Sequence, residues 1–180
     1  NFFGSLEVEF FSTQNLFFSF PAVVINYYGP KFSTVVHTAQ RIYNDFEDMS
    51  KNNQTNVPES GFNIYADDEK EVFLGIINGI IPVKNSLLKF TFFNHKQEVL
   101  EGQIDLGEVN PYETKWIYPA RSFELKKFLN GQPGTCKVTF NVNWIFPRLL
   151  AGNIHYNIPA VTITHTYYDC SLADSKSDYW

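Results

Sequence analysis

The sequence predicts an all-β domain: an antiparallel β-sandwich, immunoglobulin-like or jelly-roll, with one short helix near residues 122–130. Three observations carry that expectation. Apolar and polar residues alternate with a period of two in segment after segment, which puts one strand face in a core and the other in water. Turn signals separate these segments at intervals of roughly 8–12 residues, the spacing of a sandwich or barrel. Aromatic residues make up 17% of the 180 residues, with Phe 18, Tyr 10 and Trp 3, and rings suit a pleated surface better than a helix.

The elements follow in order along the chain. Leu6, Val8 and Phe10 alternate with Glu7 and Glu9 as a half-buried strand. Residues 16–28 (LFFSFPAVVINYY) are nearly continuously apolar, and Pro21, which cannot donate to a ladder, divides the run or marks an edge. Gly29-Pro30 is a turn, after which 31–43 resumes as a strand. The longest polar stretch, 44–60, reads as a loop with one helical turn near 45–49. GFNIYA (61–66) is a short strand, DDEKE (67–71) a charged turn and VFLGIIN (72–78) an apolar strand. LLKFTFF (87–93) and EVLEGQIDL (98–106) form a hairpin about NHKQ, and GEVNPYE turns the chain into TKWIY (114–118).

Ser122 is the expected N-cap of the helix. Leu125, Phe128 and Leu129 supply its apolar stripe and Gly131 its stop. The clearest strand is TCKVTFNVNWIF (135–146). Cys136, Val138, Phe140, Val142, Trp144 and Phe146 share one face, and Lys137, Thr139, Asn141 and Asn143 the other. Residues 147–157 read as a loop or a short irregular excursion. The last strand, 160–168, sets Val161, Ile163, His165 and Tyr167 against Thr162, Thr164, Thr166 and Tyr168. The expected organisation is a single domain over 1–170, with the polar 171–180 a linker or the start of a following segment. Asn1 in place of Met reads as the start of a mature or excised chain.

Segment 86–118 runs strand, polar turn, strand, then a Pro-x-Glu-Thr turn at Pro111, Glu113 and Thr114 into another strand. It resembles the immunoglobulin-like accessory modules of bacterial surface proteins. The resemblance implies a sandwich fold rather than an activity.

Several function classes fall away. The net charge of −5 is unclustered, unlike a nucleic-acid footprint. No run approaches the ~18 apolar residues that a spanning helix needs. Walker loops, a dinucleotide glycine triplet, HExxH, paired CxxC and GxSxG are all missing from the sequence. The expectation that remains is a non-catalytic extracellular or cell-surface module that binds a glycan or a protein partner, with further domains of a longer chain as neighbours. One alternative is a structural subunit of a surface assembly, filament or capsid. A second is a β-sandwich enzyme using His37 or His165 with Asp169.

The candidate ligand-binding residues are His37, Arg41, Arg148, Asn153, His165, Tyr167 and Asp169. Two His-Thr pairs lie mid-strand, Asp169 shares the parity of His165 and Tyr167, and Arg148 and Asn153 offer a fork and an amide at a strand end. Tyr27, Tyr28, Trp116 and Tyr118 are the rings near loop ends that could stack on a sugar. No metal site is expected beyond calcium candidates in two acidic turns, Asp45 with Asp48 and Asp67 with Asp68, neither of which has an EF-hand pattern. Cys136 begins one strand and Cys170 ends another, which makes them a disulfide candidate across an antiparallel pair.

Overall fold

A computed structural model of the chain describes Val8, Thr13 and residues 22–39, 54–79, 81–143 and 148–166. Ten strands are present among them: β1 (Ala22–Gly29), β2 (Phe32–Ala39), β3 (Gln54–Ile64), β4 (Lys70–Ile77), β5 (Val83–Phe93), β6 (Val99–Val109), β7 (Thr114–Ile117), β8 (Gly134–Asn143), β9 (Arg148–His155) and β10 (Ala160–His165). A 3-10 turn at Pro119–Arg121 leads to a short helix, α1 (Leu125–Leu129).

The expected all-β antiparallel architecture is present. One sheet has the order β3-β8-β5-β6, the other β10-β9-β4-β7, and β1-β2 is a separate hairpin closed by Pro30-Lys31. Each of these pairings is antiparallel. The ladders nest: β5 pairs with β6, β4 with β7, and β3 with β8. From β3 to β9 each strand passes to the other sheet except at the β5-β6 hairpin, and this nested pattern is of the jelly-roll kind, one of the two expected.

The core lies between the sheets. Ile64, Val72, Leu74, Ile76, Leu88, Phe90, Phe92, Val138, Phe140, Leu149 and Ala151 meet there, with Leu125 and Leu129 of α1 closing one side. The predicted parity of β8 holds over its described side chains: Cys136, Val138 and Phe140 are buried and Lys137 is exposed.

The central strands of the second sheet are buried on both faces. In β4, Val72, Leu74 and Ile76 point into the core. Phe73 and Gly75 lie on the outer face, paired with Gly152 and Leu150 of β9. Phe73 is only 4% exposed and Leu150 only 1%. Such two-sided burial explains why VFLGII reads as a continuous apolar run rather than an alternating one. Glycine makes room for the rings on this face. A Cβ on Gly75 would meet the Trp116 ring at 2.8 Å, and one on Gly152 would meet the Phe73 ring at 2.8 Å.

Two expected loops are strands. Residues 54–60 form the first half of β3. They tolerate Pro58 because β3 is an edge strand, paired on one side only among the described residues, so the missing N–H breaks no second ladder there. Residues 148–155 form β9, the centre of its sheet, although Gly152 and Asn153 resemble loop residues. The helix also starts differently. Glu124 occupies its N-cap without a side-chain bond, while Ser122 ends the 3-10 turn by donating its N–H to the Pro119 carbonyl. The stop is left-handed, with φ of 50° at Asn130 and 73° at Gly131.

Gly152→Ala tests the close packing of β9. The added carbon would sit 2.0 Å from the Thr162 carbonyl oxygen, a backbone atom that cannot swing aside. We expect a loss of about 3 kcal/mol in urea denaturation, at the upper end of ordinary overpacking costs. An unchanged midpoint would contradict the geometry.

Candidate functional site

β3 is one edge of its sheet and β10 one edge of the other. Between them the sandwich opens into a groove of about 440 Å³, lined by Gly61, Phe62 and Asn63 of β3, Ala151, Gly152 and Asn153 of β9, and residues 162–166 around β10. Its walls follow from strand parity. β10 turns Thr162, Thr164 and, just past its end, Thr166 inward, and Val161, Ile163 and His165 outward in register with Ile154, Gly152 and Leu150. The three hydroxyls donate to the backbone carbonyls of Asn153, His165 and Leu149 at 3.4, 3.1 and 3.3 Å. Their oxygens keep lone pairs for a ligand donor. Thr162 and Thr164 are exposed, whereas Thr166 is buried.

Asn153 ties the two sheets together across this groove. Its Oδ1 accepts from the Tyr65 N–H at 3.1 Å, and its Nδ2 donates to the Asn63 carbonyl at 3.2 Å. It is buried, so the expected ligand amide is spent on the backbone of β3. Among the described residues, no lining side chain is an Asp, Glu, Lys or Arg, and His165 is the one titratable group.

His37 and His165, far apart in sequence, are brought together. Their rings meet edge to face, with centroids 4.7 Å apart and planes at 76°. His165 is buried and His37 exposed. The His165 Nδ1 lies 3.2 Å from the Thr166 carbonyl oxygen. A carbonyl only accepts, so Nδ1 carries the proton in that contact. The ring contact joins the β1-β2 hairpin to the edge of the sandwich.

The other expected residues are scattered or lie elsewhere. The backbone of Arg148 pairs with Ile77, and its side chain lies outside the described residues. Arg41, Asp45, Asp48, Tyr167, Asp169 and Cys170 also lie outside them. Asp67 closes its own turn, with Oδ1 accepting from the N–H groups of Glu69 and Lys70 at 2.7 Å each, and Asp68 pairs with Lys126. Among the described residues no cluster of three or more His, Cys, Asp or Glu could hold a metal. Cys136 is a buried free thiol, and burial pushes its pKa well up.

Of the rings, Tyr28 and Trp116 are exposed, Tyr27 is half-buried with its hydroxyl pKa raised by burial, and Tyr118 lies under the Arg121 guanidinium at 3.9 Å. Arg121 also forks onto Glu71 at 3.2 and 3.3 Å, and the Tyr156 hydroxyl donates to the same carboxylate. The Glu71 bond raises the pKa of both Tyr156 and Arg121. Neither this surface cluster nor the β3 wall of the groove is foreseen by the sequence. The candidates Asn153 and His165 and the shared parity of the threonine row are the sequence's hints at the groove.

Set against family models, curated proteins and solved structures, the chain matches none.

Two measurements check this local picture. Asn153→Ala strands the Tyr65 N–H and the Asn63 carbonyl. We expect a loss of about 2 kcal/mol and faster hydrogen exchange at the Tyr65 amide, and unchanged exchange would refute the clasp. For Cys136 the folded pKa is raised, so its contribution is complete below the unfolded thiol value of about 8.5 and is lost as pH rises above it. The unfolded chain ionises there while the native thiol stays protonated. The slope from this group is about 1.4 kcal/mol per pH unit. Cys136→Ala should flatten the alkaline decline, and identical pH profiles would count against the buried thiol.

Proposed function

We propose that the domain is a non-catalytic binding module, working outside the cell or at its surface, that seats an uncharged ligand in the groove between β3 and β10. One observation carries the reading: the groove has a size suited to a small ligand or a short segment of a polymer, and its described lining offers hydroxyl and peptide groups but no fixed charge. Phosphates and carboxylates are normally met by Arg, Lys or clustered N–H groups. A glycan or a neutral stretch of polypeptide needs only donors and acceptors of the kind present. The extracellular placement draws on the resemblance of segment 86–118 to surface modules. The reading uses no calcium, since the described acidic pair is engaged in a turn and an ion pair.

The test combines a glycan array with a displayed library of linear peptides, each probed with the intact chain. Binding should persist at about 1 M salt, where charges are screened within about 3 Å. Thr164→Arg, at an exposed position on the groove wall, should abolish it while leaving the fold intact. Ligands that dissociate in salt, or that bind the variant equally well, would overturn the reading.

A second reading, a subunit of a surface assembly, is favoured by the β1-β2 hairpin. Val24 (65% exposed), Tyr28 (79%) and Val35 (55%) lie on this hairpin, and exposed apolar side chains gathered on one element mark contact sites. Size-exclusion chromatography at high concentration decides: oligomers that the pair Val24→Glu and Val35→Glu reduces to monomers support it, and a monomeric parent chain removes it.

A further inference from the structure

We infer that the occupant of the groove is an extended polypeptide segment that adds as a strand to the groove-facing edge of β3; this rests on the binding-module reading above. The argument starts from backbone direction. Along a strand, the N–H and C=O groups of successive residues point to opposite edges, so those of alternate residues share one edge. β3 gives one edge to β8. The Asn63 carbonyl and the Tyr65 N–H point the other way, because both bond to the Asn153 carboxamide at 3.2 and 3.1 Å.

That carboxamide is a primary amide with one N–H and one C=O engaged. It donates to residue 63 and accepts from residue 65, which is how one peptide residue of a parallel neighbouring strand would bracket residue 64. Asn153 therefore occupies the first rung along an edge of β3 that has no ladder partner among the described residues. The same alternation aims the Asn63 N–H into the groove, and Gly61, at the register shift of β3, lines it with no side chain in the way.

The window is short and bounded. On the N-terminal side, a register shift between Glu59 and Phe62 bends β3, and Pro58 has no N–H to offer. On the C-terminal side Asn153 fills the rung and the Tyr65 carbonyl accepts from the Val72 N–H. Across the groove, the Thr162 and Thr164 hydroxyl oxygens face the side chains of an added strand. Among the described residues the lining carries no lysine, the residue most used to guard an edge. Main-chain bonds would supply affinity, and the hydroxyl wall would select small or polar uncharged side chains.

The test uses the intact chain and a phage-displayed library of random linear peptides. A selected peptide is resynthesised with a single N-methyl group at each backbone amide in turn. Strand addition predicts that alternate N-methylations weaken binding about tenfold or more while the intervening ones are tolerated. It also predicts that peptide binding slows hydrogen exchange at the Asn63 amide. Tolerance of every N-methyl group, or no protection at Asn63, overturns the strand mode even where Thr164→Arg abolishes binding; in that case the groove reading survives. Neutral glycans bound in a manner sensitive to Thr164→Arg, with no peptide selected, likewise overturn the strand mode and spare the groove. Failure of both libraries overturns the strand and the groove together.

Discussion

β4 and β9 must bury side chains on both faces, and most of the molecule follows from that constraint. A strand covered on one side can alternate polar and apolar residues; one covered on both sides cannot. Val72 through Ile76 and Leu149 through Asn153 are buried without interruption. Full burial of a Leu, Val or Phe side chain contributes about 1.5–3 kcal/mol, so the outer face adds materially to the core proper. It also imposes close approach: Trp116 lies over Gly75 and Phe73 over Gly152. Fixing β9 inside its sheet makes β10 the edge, opposite the edge strand β3. The groove is therefore a consequence of where the two-faced strands sit.

The same constraint explains what can and cannot be read from the sequence. Strands with one wet face are legible. β5, β6 and β8 alternate as expected, and Leu125, Leu129 and the left-handed stop locate the helix within a few residues. β9 is not legible. Its Gly152 and Asn153 look like loop residues because loops use glycine for freedom and asparagine for local bonds. In β9 the glycine instead makes space for a ring and the asparagine bonds to a strand of the other sheet. Both roles depend on partners remote in sequence. The first half of β3 is hidden for a related reason: its polar, proline-containing residues suit an edge, which composition alone does not distinguish from a loop.

The candidate residues divide along similar lines. His37 and His165 stand out in the sequence as mid-strand histidines, and the fold places their rings in contact. Their parity is legible, but the approach of β2 to β10 is not, since it is a contact without a ladder. Asn153 stands out as a ligand amide. It lines the groove, yet both ends of its carboxamide are taken by β3. A buried polar group must satisfy its bonds before it can serve anything else, and the sequence does not reveal which bonds those are.

How the fold treats its edges gives the groove its character. β6 carries exposed Glu101, Gln103 and Asp105, and charge deters a second chain. β7 is only four residues long. β10 is approached by β2 through the histidine contact. β3, among the longest strands at eleven residues, relies on a proline, a register shift and one borrowed carboxamide. Those devices blunt its two ends and leave the stretch from Gly61 to Asn63 facing a hydroxyl wall without a charge in its described lining. Elsewhere the edges are defended by charge, brevity or cover; here the defence is local, and the gap in it coincides with the groove.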